Sequence, residues 1–177
     1  MDKKLEVNIA TIKEYLKNNY KNNLREPAPK LPFKFIVPGA SYSQQLWDWD
    51  SWLTGLALMD IDLNGTEEYQ KGCVLDFLSN MDNEGRIPIL VTEKPYPIFE
   101  LSEKETNIHK PCLAQHALEI CKAYKDAKWL EKGFDKILTF ISYYDKHQKD
   151  EESGLYFWID DFAIGFDNDP TVFYRPN

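Results

Sequence analysis

Residues 127–146, AKWLEKGFDKILTFISYYDK, decide the fold class. Leu130, Phe134, Ile137, Ile141 and Tyr144 recur at helical spacing for four turns, with lysines and acidic residues between them. This spacing predicts a helix with one apolar face. Working outward, Cys112 to Tyr124 repeats the pattern through Leu113, Ala117, Ile120 and Tyr124, and Glu67 to Met81 does so through Val74, Phe77, Leu78 and Met81. Asn8 to Asn22 places Ile9, Ile12, Leu16 and Tyr20 on one side. No βαβ pattern, glycine-rich phosphate loop, GxSxG elbow, heptad or alignable repeat occurs. The expectation is an all-α fold, helix after helix, with long loops between alternate pairs.

Composition narrows the classes of partner. The 177 residues suit one domain, and 43% hydrophobic content allows a sizeable core. A net charge of −8 excludes the basic stripe of a nucleic-acid surface and an anionic-membrane partner. No run reaches transmembrane length. Cys73, Cys112 and Cys121 form no CxxC or Cys/His zinc pattern and are expected as buried reduced thiols. With no apolar leader segment after the basic N-terminus, the expectation is a soluble, cytoplasmic protein.

Three other segments carry candidate chemistry. Ser41 to Asp62, SYSQQLWDWDSWLTGLALMDID, is expected as a helix N-capped by Ser43 and buried on most sides, because its large apolar residues surround it. Asp48 and Asp50 need partners if buried. Trp47, Trp49 and Trp52 beside them admit a second use: an aromatic face meets sugar C–H groups and a carboxylate accepts from hydroxyls. The alternative is an acidic first turn that complements the helix dipole. Arg25 to Gly39, with Pro27, Pro29, Pro32 and Pro38, is an extended connection whose PFKFIVP segment packs along the body. Asp82 to Gly85 is a turn that leaves Arg86 before an extended Ile-Pro, free to bind a carboxylate or to face solvent. The segment on to Glu105 reads as a long polar loop. His109 and Lys110 open the next helix, where basic groups oppose the dipole.

Trp158 to Arg175, WIDDFAIGFDNDPTVFYR, gathers Asp160, Asp161, Asp167 and Asp169 among aromatics. Carboxyls held among aromatic rings are suited to general-acid work, since an apolar setting raises their pKa. The other reading is a capping turn before a helix at Pro170. These aspartates are oxygen donors suited to calcium, but EF-hand spacing is absent, and neither a metal nor another cofactor is expected.

Four of these segments together resemble trehalases and the glycoside hydrolase family 63 group, especially its mannosylglycerate-hydrolase-like members. Trp49-Asp50-Ser51-Trp52 resembles the family's WDS segment, and Gly85-Arg86-Ile87-Pro88 its G-x-(I/V)-P segment. Asn107 to Pro111 resembles the polar opening of the next helix, and Gly165 to Pro170 the G-x-D-N-x-P segment. The resemblance implies an (α/α)6 barrel, of which this chain supplies about the N-terminal half, and inverting hydrolysis of α-glycosidic bonds. It places Asp167 as the general acid and Trp49 and Asp50 in a sugar subsite. Trp47, Arg86, His109, Lys110, Trp158 and Asp161 fall on or beside segments that line the pocket.

No residue matches the family's general base, and the family's acidic arginine segment before the acid is replaced by Trp158, Asp160 and Asp161. The isolated chain is therefore expected to show little or no turnover, and either the rest of the catalytic domain or self-association is the expected protein partner. Two other classes stay open: a non-catalytic helical carbohydrate-binding or assembly module, and a sugar epimerase, which would lean on paired histidines where this chain has only His109, His116 and His147.

Overall fold

The computed structural model describes residues 3–101 and 107–159. It is mostly helical. In chain order come α1 (Lys3–Asn19), β1 (Leu24–Arg25), β2 (Phe35–Ile36), β3 (Gln45–Trp47), α2 (Asp48–Ile61), α3 (Leu63–Ser79), β4 (Leu90–Thr92), α4 (Leu113–Tyr124) and α5 (Phe134–His147). The strands pair only as two short antiparallel ribbons, β1 with β2 and β3 with β4. An (α/α)6 barrel is a finer statement than this helical architecture carries.

Helix α3 is the centre. It packs on α2, on α4 and on β2. Its start is fixed by Asp62, whose Oδ1 accepts from the Gly65 amide at 2.9 Å, while Thr66 Oγ1 donates to the Asp62 carbonyl. Tyr20, the last apolar residue of the N-terminal stretch, donates its hydroxyl to Asp62 Oδ2 at 2.7 Å and is buried. Helix α1 itself buries no residue: Ile9 and Ile12 are exposed, although they fall on the apolar side the sequence predicts.

The proline-rich connection lies along α3, as its apolar segment predicts. Leu31, Phe35, Ile36 and Val37 are fully buried. Two side chains of α3 hold it: Asp76 Oδ1 accepts from the Phe33 amide at 3.1 Å and Cys73 Sγ from the Ile36 amide at 3.2 Å. Gly72 lets the connection approach so closely that a Cβ there would sit 1.8 Å from the Lys34 carbonyl oxygen.

Helix α2 departs from expectation in two ways. It starts at Asp48, not at a Ser43 cap, because Gln45 to Trp47 are drawn into the ribbon with β4. Ser43 instead adopts a left-handed backbone, φ 50°. Nor is α2 buried on most sides: its inward face is Asp48, Ser51, Gly55 and Leu58, and Leu53 is 47% exposed. The reason is close helix approach. Gln70 of α3 reaches across to donate Nε2 to the Gly55 carbonyl at 2.7 Å, and a Cβ at 55 would lie 2.3 Å from its Oε1.

Helix α4 keeps its stripe, with Leu113, Ala117 and Ile120 buried. Helix α5 begins later than its periodicity predicts, at Phe134, after a single 3-10 turn at Lys128–Leu130. It buries Ile137, Phe140, Tyr143 and Tyr144 and leaves Phe134 and Leu138 exposed. The polar loop after Gly85 contains β4 and a 3-10 turn at Pro97–Phe99. Among the described residues no helix is long and apolar enough to cross a membrane.

Candidate functional site

The extended segment 87–92 joins the pieces that the sequence singles out. Leu90 pairs with Trp47 in the ribbon, and the Asp48 amide donates to the Ile89 carbonyl at 2.9 Å. On its other side the His109 amide donates to the Ile87 carbonyl at 2.7 Å, and the Ile89 amide to Asn107 at 2.9 Å. The Trp-Asp segment, the Arg-Ile-Pro segment and the His-Lys-Pro segment therefore lie side by side, although up to 62 residues separate the atoms they bring together.

Asp48 and Lys110 form the charged centre of this junction. Asp48 is 1% exposed, and its Oδ2 accepts from both the Lys110 amide (3.1 Å) and Lys110 Nζ (3.0 Å). The same ammonium lies 5.8 Å from the centroid of the Trp49 ring, a cation–π contact. Of the two aspartates at the start of α2, Asp48 is the one taken inside. Asp50, in the same first turn, and Trp49 are half-buried. Trp47 is half-buried too: its indole donates to Gln45 Oε1 at 3.1 Å and it meets the Phe99 ring edge-on at 4.8 Å.

Arg86 sits on its own turn. Its Nε donates to Asp82 Oδ2 at 2.7 Å, with Glu84 Oε2 at 3.4 Å, so among the described residues it pairs with carboxylates that are its neighbours in sequence. Burial pushes the Asp82 carboxyl up, but the Arg86 amide and guanidinium together outweigh it and hold the group below the usual carboxylate range. Gly85, at φ +93°, supplies the left-handed step that closes the turn, and an added Cβ would press on Thr139 of α5.

His109 lies in the core, 1% exposed, with its ring edge-on to Phe77 (4.4 Å) and to Phe140 (5.8 Å). Nδ1 meets the Lys110 carbonyl at 2.6 Å, whereas Nε2 has no partner. Burial lowers its pKa, and burial next to His109 pushes His116 down to about 3. Both rings are neutral at neutral pH, and His109 braces the backbone on which Lys110 sits. Tyr144 adds to this bracing by donating its hydroxyl to the His109 carbonyl at 2.5 Å.

Trp158 stands beyond Tyr144, edge-on at 6.1 Å, and is 40% exposed. The acidic residues that follow it, Asp160, Asp161, Asp167 and Asp169, lie outside the described residues. Among the described residues no group of three His, Cys, Asp or Glu side chains is placed to hold a metal ion.

Trp47, Trp49, Lys110 and Trp158 thus fall within one connected network, with His109 behind it, Asp50 in the same helical turn as Trp49, and Arg86 next to the shared extended segment. Sequence reasoning passed over Tyr144 as ordinary core and did not single out Gln148. The signal was present: Gln148 continues the α5 stripe one turn past Tyr144, a polar residue on a buried face. No protein-family model matches the chain, and no curated protein matches it.

Proposed function

We propose that this chain carries part of the sugar-binding and acid machinery of an inverting α-glycoside hydrolase, built as the first half of an (α/α)6 barrel. The observation that supports this reading is the junction at segment 87–92: three of the four segments that resemble the family meet there, with Trp47 and Trp49 half-buried around a lysine-paired aspartate. Half-buried indoles next to fixed polar groups suit a pyranose, whose C–H faces pack on aromatic rings and whose hydroxyls need hydrogen-bond partners. Lys110, over the Trp49 ring, and Asp50, in the same helical turn, are the polar groups assigned to that role.

In this reading Asp167 protonates the leaving glycosidic oxygen, and a second carboxylate roughly 6.5–9.5 Å away activates water on the opposite face of the ring. No residue of this chain is assigned as the base, so the 177 residues alone are expected to bind α-glucosides without turning them over.

The test has two parts. Titration of the chain with trehalose, maltose and methyl α-glucoside, followed by tryptophan fluorescence, should show saturable binding that Trp49→Ala weakens roughly tenfold or more. In the protein expressed from its own gene, sugar released from an α-glucoside should appear first as the β-anomer by proton NMR, and Asp167→Asn should abolish it. Binding that survives with no turnover in that protein, and no effect of Asp167→Asn, would instead establish the non-catalytic carbohydrate-binding module. Absence of both binding and turnover defeats the reading.

A further inference from the structure

Between the end of α5 and the segment after it lies a slot of about 210 Å³ lined by Pro111, Ile141, Tyr144, Gln148 and the run Tyr156 to Trp158. Three features set it apart. Among the described residues its lining carries no charged side chain. Four of its walls are aromatic: Tyr144, Tyr156, Phe157 and Trp158. And Gln148, 2% exposed, has a buried Oε1 with no hydrogen-bond partner among the described residues.

A buried amide oxygen without a partner is uncommon in folded proteins and asks for a reason, because leaving it unpaired is costly. The backbone around it is fully engaged. The Gln148 amide donates to the Tyr144 carbonyl at 2.9 Å, and the Gln148 carbonyl accepts from the Phe157 amide at 3.0 Å. Gln148 is thus held firmly in place while its side-chain acceptor stays unused. The arrangement matches a ligand site in which a fixed polar group awaits a donor among apolar walls.

We propose that this slot is a subsite for one uncharged, hydroxyl-bearing six-membered ring, a pyranose, with Gln148 as the residue that reads a ring hydroxyl. The choice of a pyranose rests on the glycoside reading above. The volume is below the roughly 300–1,000 Å³ of pockets that enclose drug-sized molecules, which suits a single ring. The aromatic walls accept the ring's C–H faces. A hydroxyl both donates and accepts, so it satisfies the Gln148 amide in either orientation. The slot is tied to the Lys110–Trp49 network, since Pro111 follows Lys110 directly and Tyr144 is bonded to the His109 carbonyl.

The experiment is an NMR titration of the full chain with methyl α-D-glucopyranoside, following the five indole N–H signals and the Gln148 side-chain amide. Cyclohexanol serves as a ring of similar size that offers a single hydroxyl. The expected result is saturable movement of the Trp158 and Gln148 signals with the glucoside, much weaker movement with cyclohexanol, and roughly tenfold weaker glucoside binding in Gln148→Leu. Gln148→Leu removes an unpaired polar group from an apolar site, so its melting temperature should not fall. A folded Gln148→Leu that binds the glucoside as the parent does, or cyclohexanol binding as tight as the glucoside's, overturns the subsite. Movement of the Trp49 signal without Trp158 also overturns it and leaves the glycoside reading standing. Movement of Trp158 without Trp49 upholds the slot and removes the Trp49 site. Silence at both defeats both.

Discussion

Lys110 Nζ lies 3.0 Å from Asp48 Oδ2, and Lys110 contributes its backbone amide to the same oxygen at 3.1 Å. The carboxylate is almost wholly withdrawn from water, so the ammonium neutralises a charge that would otherwise be stranded. Lys110→Met should therefore destabilise the fold by about 3–5 kcal/mol, the cost of leaving one member of a buried pair alone. Adding Asp48→Asn should restore much of that loss. Urea unfolding of the two single variants and the double variant closes the cycle. Strictly additive losses would mean that the pair does not couple.

That pair also marks where the sequence stops being legible. The helices at 113–124 and 63–79 show in the periodicity because their neighbours are other apolar faces, and Leu113, Ala117, Ile120, Val74 and Phe77 are buried as spacing predicts. The inward face of α2 does not show, because the close approach of Gln70 to Gly55 selects small residues that hydropathy ignores and leaves the large ones outside. The start of α2 is hidden for a related reason. A three-residue ribbon with β4, a partner 45 residues away in sequence, claims residues that have helical propensity on their own. Trp47, Trp49 and Lys110 stand out by type and local pattern. Their convergence does not, since it depends on the backbone bonds of Ile87 and Ile89 to two distant segments.

The proline-rich connection gives a second prediction. Gly72 has no room for a side chain, since a Cβ would lie 1.8 Å from the Lys34 carbonyl oxygen and 3.1 Å from Phe33 Cβ. The first of these neighbours is backbone and cannot rotate away. Gly72→Ala should displace the connection from α3 and cost about 1–3 kcal/mol despite the better helix propensity of alanine. Hydrogen exchange should then be faster at the Phe33 and Ile36 amides, which α3 side chains hold in the parent. Unchanged exchange at both would contradict the tight approach.

His116 governs a third. Its folded pKa is pushed down to about 3 by burial, against about 6.5 for the unfolded chain. The unfolded chain binds the proton more readily, so the neutral ring contributes stability above pH 6.5 that is lost as pH falls toward 3. His109, also lowered by burial, acts in the same direction. His116 contributes a slope of up to about 1.4 kcal/mol per pH unit in this window. His116→Leu should remove one such slope between pH 6.5 and 4.5, a range above the titration of the ordinary carboxylates. Unfolding free energies measured across that range for parent and variant should diverge steadily. Parallel curves would mean that His116 takes up its proton without loss of packing.

Asp76 works with the opposite sign. It is fully buried, Oδ1 accepts from the Phe33 amide and Oδ2 has no partner, and burial raises its pKa from 3.8 to about 7. Here the folded protein binds the proton more readily than the unfolded chain. The stabilising contribution is complete below pH 3.8 and is lost as pH rises through 7, again at up to about 1.4 kcal/mol per pH unit. Asp76→Asn keeps an acceptor for the Phe33 amide and carries no charge at any pH. Relative to the parent, it should gain stability steadily between pH 4 and 7 and hold a constant advantage above that. The gain should be accompanied by slower exchange of the Phe33 amide at pH 8, where the parent's carboxylate is ionised among apolar residues. A variant whose stability tracks the parent's from pH 4 to 8 would show that Asp76 is already ionised in the folded protein and that its second oxygen finds a partner there.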